Sequence, residues 1–322
     1  MFGQQDSVVI PEPAVVDLQF LITEAMVNNP EIQAALQEMS MREARVAQEG
    51  AVSNPEIRFM QEAMPDFQFN EAMYSRLDLM QTIPFPSKLG LQKHIAELES
   101  GHAHHDHLEK MNAVIRDLKI AYDELWLAQQ QIILEHENER LMKQYIAIAE
   151  LKYGNGQSSQ QDVLKAQIEL SMIENDVVTF RQKELSAKAM LASLLNRQPD
   201  DTLGYAVIPE DVIFNSNIDT LIALALQNRP MLIHDSLVID ESQTMYSLAT
   251  QQYLPDFTFG LEHITSPLTG FHGWSISVGM TLPFPPWTLG KSNARVEEAT
   301  ASIHKSQDLY TSERNMITSN IK

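Results

Sequence analysis

Leu108 to Leu195 reads as one long helical hairpin folded at Tyr153-Gly154-Asn155-Gly156. On the outgoing arm Leu108, Met111, Ile115, Leu118, Tyr122 and Leu125 recur at steps of three and four. On the return arm Val163, Ala166, Leu170, Ile173, Val177, Phe180, Ala187, Leu191 and Leu194 keep the same rhythm, with Glu184 the one polar entry. Such a seam asks for a helical partner along the whole length of each arm. Neither arm contains proline, and Ala, Leu, Gln, Glu and Lys dominate both, which suits long helices. Extended back to Lys88, the outgoing arm reaches roughly 65 residues, or roughly 100 Å at 1.5 Å per residue. No ordinary globular core is that deep, and the heptads alone favour a cytosolic coiled-coil rod.

Composition narrows the classes. The chain is 44% hydrophobic and 20% charged, too apolar for disorder. Its formal charge of −20 repels phosphate backbones, so nucleic acid is not an expected partner. It has no cysteine, which removes disulfides, thiolate metal sites and a lipid-modified N-terminal cysteine. No run is long and apolar enough for a transmembrane helix. Met1 to Val16 lacks a basic segment followed by an apolar core, so no signal peptide is expected there.

Taken in order, Val16 to Asn28 is an amphipathic helix with Leu18, Leu21, Ile22, Ala25 and Met26 on one face. Asn29-Pro30 interrupts it, and a second helix runs from Glu31 to about Ala51. After Ser53-Asn54-Pro55, Ile57 and Phe59 alternate with Arg58 and Met60. A polar loop, Met64 to Glu71, leads to Leu77 and Leu79 alternating with Asp78 and Met80, which makes a hairpin. Pro84-Phe85-Pro86 ends it, and Ser87 is the expected N-cap of the long helix. Beyond the helical hairpin, residues 198–217 read as a connector. Helices are expected at Ile218 to Asn228 and Met231 to about Gln251, then strands through Phe257 and Phe259 and from Trp274 to Leu282. A last helix is expected from near Lys291.

The second half repeats the first. Pro30/Pro230, Pro55/Pro255 and Gly90/Gly290 match at an offset of 200, as do Leu21/Leu221, Asn28/Asn228, Phe59/Phe259, Glu62/Glu262 and Leu89/Leu289. Pro84-Phe85-Pro86 recurs as Pro283-Phe284-Pro285 with a slip of one. Breakers in register over this span indicate duplication. The expected division is 1–197 as first repeat, 198–217 as connector and 218–322 as a second repeat, C-terminally incomplete by a hairpin of roughly 100 residues.

The strands separate rod from pore. Trp274, Ile276, Val278, Met280 and Leu282 alternate with Ser275, Ser277, Gly279 and Thr281. Apolar on one face and small or polar on the other is the pattern of a membrane barrel strand, and equally of a half-buried strand in a soluble sheet. Four strands cannot close a membrane barrel alone, and open edges are not viable in lipid, so closure would take several chains.

In these residues the sequence resembles the TolC-like outer-membrane efflux family, and particularly its heavy-metal resistance branch. The resemblance rests on Asn28-Asn29-Pro30-Glu31-Ile32, Ser53-Asn54-Pro55-Glu56-Ile57 and Gln81-Thr82-Ile83-Pro84-Phe85-Pro86-Ser87-Lys88. It rests also on Tyr153-Gly154-Asn155-Gly156 leading to Asp162-Val163-Leu164-Lys165-Ala166-Gln167, and on Gln227-Asn228-Arg229-Pro230 with Leu254-Pro255-Asp256. It implies a mainly α fold of long antiparallel coiled-coil helices with four membrane β-strands, completed as a trimeric α/β-barrel channel. Three protomers would share a twelve-stranded barrel in the outer membrane, continued by a periplasmic helical tunnel. Ile57, Phe59, Leu77, Leu79, Phe257, Phe259, Trp274, Ile276, Val278 and Met280 would face outer-membrane lipid. Tyr153, Gly154, Asn155, Gly156, Gln157 and Leu164 would form a tip contacting a periplasmic adaptor protein, which links to an inner-membrane efflux pump. Gly154 and Gly156 would supply the tight backbone there.

Little in the chain suggests chemistry. On a helix His102 faces His105 and Asp106, and His104 faces His107, spacings that can hold zinc or copper. A solvated histidine-rich face explains the run as simply, so no metal and no cofactor is assigned. No phosphate loop, nucleophile motif or metal-hydrolase motif is present, so no enzyme is expected. The expected function is the passive outer-membrane conduit of a tripartite efflux system, for metal ions or small molecules. The rivals are a coiled-coil structural rod and a periplasmic adaptor.

Overall fold

The computed structural model of the chain describes residues 15–62, 73–199, 203–208, 217–283 and 285–322. Most of them are helical. The expected polar loop at Met64 to Glu71 and much of the connector lie outside the described residues. Two compact units are formed, residues 1–34 with 110–215, and residues 35–109 with 216–322. The first unit takes two separate stretches of the chain, and the second joins residues 35–109 to residues 216–322.

The first unit is built on the helical hairpin. Its elements are α1 (Leu18–Asn28), the start of α2 (Pro30–Glu49), α3 (Pro86–Gly154) from Lys110 onward, and α4 (Gln160–Leu194). The seam is buried where its spacing demands: Leu118, Tyr122 and Leu125 on α3 and Val163, Ala166, Ile173, Val177, Ala187 and Leu191 on α4. Leu21, Ala25 and Ile32 close the same core. The polar entry Glu184 has a partner that the heptads did not disclose. Gln129 Nε2 lies 3.5 Å from its Oε1 and 3.4 Å from Gly204 O, and Gln129 Oε1 accepts from the Ala206 N–H at 3.0 Å. That bond holds β4 (Tyr205–Ala206), which pairs in parallel with β1 (Val15–Val16).

Tyr122 secures the same strands. Its hydroxyl accepts from the Val207 N–H at 2.8 Å and lies 2.8 Å and 2.9 Å from the carbonyls of Val16 and Val207. Burial pushes the phenol above its ordinary pKa, outweighing the opposing Val207 hydrogen bond. Asn29 explains one repeated motif. Its Oδ1 accepts from the N–H groups of Glu31 and Ile32, capping α2, while its Nδ2 donates to Leu194 O at 2.8 Å. The helix break and the end of α4 are thereby tied by one buried side chain.

The second unit carries the rest of α2 and the first part of α3. To these it adds α5 (Ile218–Asn228), α6 (Pro230–Gln251), α7 (Pro286–Ile321) and four strands. Helices α5 and α6 repeat the α1–α2 break, but Arg229 stands where Asn29 does and makes no side-chain cap. It reaches Glu109 instead, at 3.2 Å. The strands are β2 (Glu56–Glu62), β3 (Tyr74–Ile83), β5 (Phe257–Ser266) and β6 (Phe271–Met280). They form one antiparallel sheet in the order β2-β3-β5-β6. Among the described residues no helix is long and apolar enough to cross a membrane.

Two helix starts differ from expectation. Ser87 is not the N-cap of α3: the helix begins at Pro86, and the Ser87 Oγ is buried without a partner. Proline presets φ for the first helical position, so the helix starts one residue earlier and Phe85 occupies the cap. Likewise α7 begins at Pro286 rather than near Lys291, for the same reason.

Candidate channel wall and hairpin tip

Register puts every apolar strand residue singled out in the sequence on one face. Ile57, Leu79, Leu261 and Ile276 form one cross-strand row, and Phe59, Leu77, His263 and Trp274 the next. Phe259 sits beside Val278, and Ile83, Phe257 and Met280 make the row beyond. Directly paired residues share a face, so the ten predicted positions form a single apolar surface. That surface is uncovered. Ile276 is 82% exposed, Ile57 71% and Trp274 69%. At one end the face turns polar, with Gln61, Ser75, Thr265 and His272 in a row. His263 stacks on Trp274 at 4.5 Å just inside that rim.

The opposite face is polar and charged, and sequence reading did not resolve it. Arg58 pairs with Glu56 at 2.8 Å. Arg76 lies between Glu62 at 3.2 Å and Glu262 at 3.4 Å. Asp78 is paired directly with both Arg58 and Glu262 across the strands. Two arginines against four carboxylates leave this face net negative. A Cβ at Gly260 would lie 2.3 Å from Ser277 Oγ, so a larger residue there requires the Ser277 hydroxyl to rotate away.

The turn is set by Gly156 and by a cap at the start of α4. Tyr153 and Gly154 are the last residues of α3, so the turn itself begins at Asn155. Gly156 has φ +72°, the left-handed region that favours glycine, while Gly154 needs no such freedom. Ser159 and Asp162 form a capping box at the start of α4, readable in retrospect from Ser159 and Asp162 three apart. Val163 turns into the hairpin. Leu164 turns out and begins an exposed stripe continued by Ile168 and Met172. Tyr153 and Gln157 are exposed at the turn.

The Asp162 carboxyl is held below its ordinary pKa by hydrogen bonds from the Ser159 hydroxyl, the Ser159 N–H and the Ser158 hydroxyl. A depressed carboxylate pKa contributes stability above the unfolded value of about 3.9 and loses it as pH falls through the folded value. The protection factors of amides 159–163 should therefore hold between pH 7 and 5 and drop below about pH 4. Asp162→Asn should show the low values throughout, and hydrogen exchange reads both.

The histidine run divides. His102 and His105 approach α6, whereas His104 is exposed. Among the described residues no group of three or more His, Asp and Glu could hold a metal ion.

Residues 21–197 match the family model described as outer membrane efflux protein. The chain belongs to the outer membrane efflux protein family. A search of curated proteins found no match. Among solved structures, this efflux protein is similar to the outer-membrane channel OprN, with TM-score 0.75 and 18% identity, over 94% of this chain and 72% of that one. It is similar to the outer membrane protein VceC from Vibrio cholerae, with TM-score 0.75 and 17% identity, over 93% and 75% of the two chains. The third is CusC, described in connection with transmembrane channel formation, with TM-score 0.74 and 17% identity, over 94% and 73%. At such identities the likeness concerns the fold. The efflux protein thus shares its arrangement of long helices and four-stranded sheet with channels of the outer membrane.

Proposed function

We propose that this chain is one protomer of a trimeric outer-membrane conduit, the outer component of a tripartite efflux system. The observation that carries the reading is the sheet. It has one uncovered apolar face across all four strands and two unpaired edges, β2 and β6. An open edge is not viable in lipid, so the sheet needs neighbours that continue it. Three copies supply twelve strands, enough for a closed barrel. A ten-residue strand is about 34 Å long, and at a tilt near 40° it spans the apolar band of about 25 Å. The apolar residues face lipid, and the acidic polar face lines a bore that favours cations.

The helices continue the wall into the periplasm. Leu134, Leu141, Tyr145 and Ile148 on α3 and Leu164, Ile168 and Met172 on α4 are exposed apolar stripes at helical spacing. In the assembly they meet sister protomers and, at the tip, a periplasmic adaptor joined to an inner-membrane pump. The pump supplies the energy and the conduit is passive, for metal ions or other small solutes. Residues 1–197 and 218–322 act as two copies of one wall element joined by the 198–217 connector.

Reconstitution into a planar bilayer tests this. Stepwise, cation-selective conductance from the purified oligomer is the expected result. A well-folded oligomer that inserts and conducts nothing, or a monomer that stays in the aqueous phase, overturns it.

A further inference from the structure

The polar face of the sheet changes character along the strands. Toward the helices it is mostly small, with Thr82 beside Thr258, Gly260 beside Ser277, and Gly279 next to them. Toward the loops it carries Met60, Ile264, Tyr74 and Phe271. Phe271 folds back along that face, since a Cβ on Gly273 would lie 2.9 Å from its Cζ. Between the two zones one row crosses all four strands: Arg58, Asp78, Glu262 and Ser275.

The charges in and around this row do not cancel. Arg58 stands directly opposite Asp78, yet its guanidinium turns along its own strand to Glu56, at 2.8 Å. Arg76 is shared between Glu62 at 3.2 Å and Glu262 at 3.4 Å. Asp78 is left within ion-pair distance of no cation among the described residues. Its direct partner on β5 is Glu262, so two carboxylates stand side by side across the strands. Like charges directly opposite weaken a sheet, and an amide at either position would relieve the repulsion. Folding therefore gives no reason for the pair. What it supplies is a fixed negative potential at one level of the face. That level is where small side chains give way to bulky ones, so a passing ion comes closest to the wall there.

We propose that Asp78 and Glu262 set the charge preference of the conduit, with Arg76 limiting it. The inference rests on the reading of the chain as one of three protomers whose polar faces line the bore. Each protomer then adds the same two carboxylates to a ring at one depth, with an arginine beside each pair. The ring selects small hydrated cations by its potential and holds no ion in place. Arg76 offsets part of that potential, because it faces Glu262 as well as Glu62.

Reversal potentials in a KCl gradient across a planar bilayer, with the oligomer of the full chain, test this. D78N removes one charge per protomer, three in all. For charges at roughly 10 Å from the axis, screened over about 10 Å in about 0.1 M salt, the cation-to-anion permeability ratio falls about fourfold. R76Q raises the ratio by a similar factor. In about 1 M salt, where screening acts over about 3 Å, the parent and both variants converge. D308N removes an exposed carboxylate on α7 instead and leaves the ratio unchanged. If D78N does not insert, D78S and the opposite shift in R76Q read the same determinant. A ratio unchanged in both D78N and R76Q overturns the inference and leaves the conduit standing. So does an equal fall in D308N, which would make the preference a property of total charge. A parent that conducts nothing removes the conduit, and this inference with it.

Discussion

Ile276→Arg is expected to abolish recovery of the protein in the membrane fraction and with it any conductance, whereas Ser275→Arg is not. The two residues are adjacent on β6 and point to opposite faces. Ile276 lies in the row with Ile57, Leu79 and Leu261, in the middle of the apolar surface. An arginine at the midplane of a barrel wall costs about 2–4 kcal/mol per strand, and a trimer would carry it three times, about 6–12 kcal/mol in all. That rivals the whole stability of an ordinary fold. Ser275 instead pairs directly with Glu262, so an arginine there gains a carboxylate partner. Its effect should appear in selectivity: the cation preference of the bore should fall or reverse, with insertion intact. If Ile276→Arg inserts and conducts like the parent, the apolar face does not meet lipid.

What the sequence discloses and what it hides have different physical origins. The helical hairpin was legible because its partners are near in sequence and the three-four rhythm is long. The faces of the strands were legible because alternation is local. The neighbours of those faces were not. β3 pairs with β5 with Ser75 opposite Thr265, 190 residues apart, and no periodicity reports that. The same limit hid the polar contacts. Nothing in the heptads marks Gln129, which the fold brings to Ala206 and Glu184. His102 looked like one member of a solvated run until His234 and Glu241, more than a hundred residues away, gave it an environment. Ser87 is not the cap because Pro86 already starts the helix, and the neighbouring Phe85 N–H is met by a distant group, Asp256. Local chemistry names candidates, and distant chain decides among them.

Asp256→Ala should destabilise the second unit by about 3 kcal/mol, far more than Lys88→Met. The Lys88 side chain is 6% exposed, at the point where β3 passes into α3. Its ammonium donates to Leu254 O at 2.8 Å and to Asp256 Oδ1 at 2.9 Å. The same oxygen accepts from the Phe85 N–H at 3.0 Å. Asp256 is held in turn from β6's end: its N–H donates to Thr281 Oγ1 at 2.8 Å, and the Thr281 N–H donates to its carbonyl at 2.9 Å. Asp256 therefore ties the start of the long helix through its carboxylate and the end of β6 through its backbone. Removing it strands a buried charge and an unsatisfied backbone N–H together, which is the costly way to break such a pair. Removing Lys88 takes the buried charge away, and Asp256, about a third exposed at 32%, can then be hydrated. The double variant should recover part of the loss, because the stranded charge is gone. The second copy has no lysine in Pro283-Phe284-Pro285-Pro286-Trp287-Thr288, so nothing there substitutes. Denaturant unfolding of the four proteins in detergent measures the cycle. Equal losses for Asp256→Ala and Lys88→Met, with no recovery in the double variant, would show that the junction is held by packing rather than by this pair.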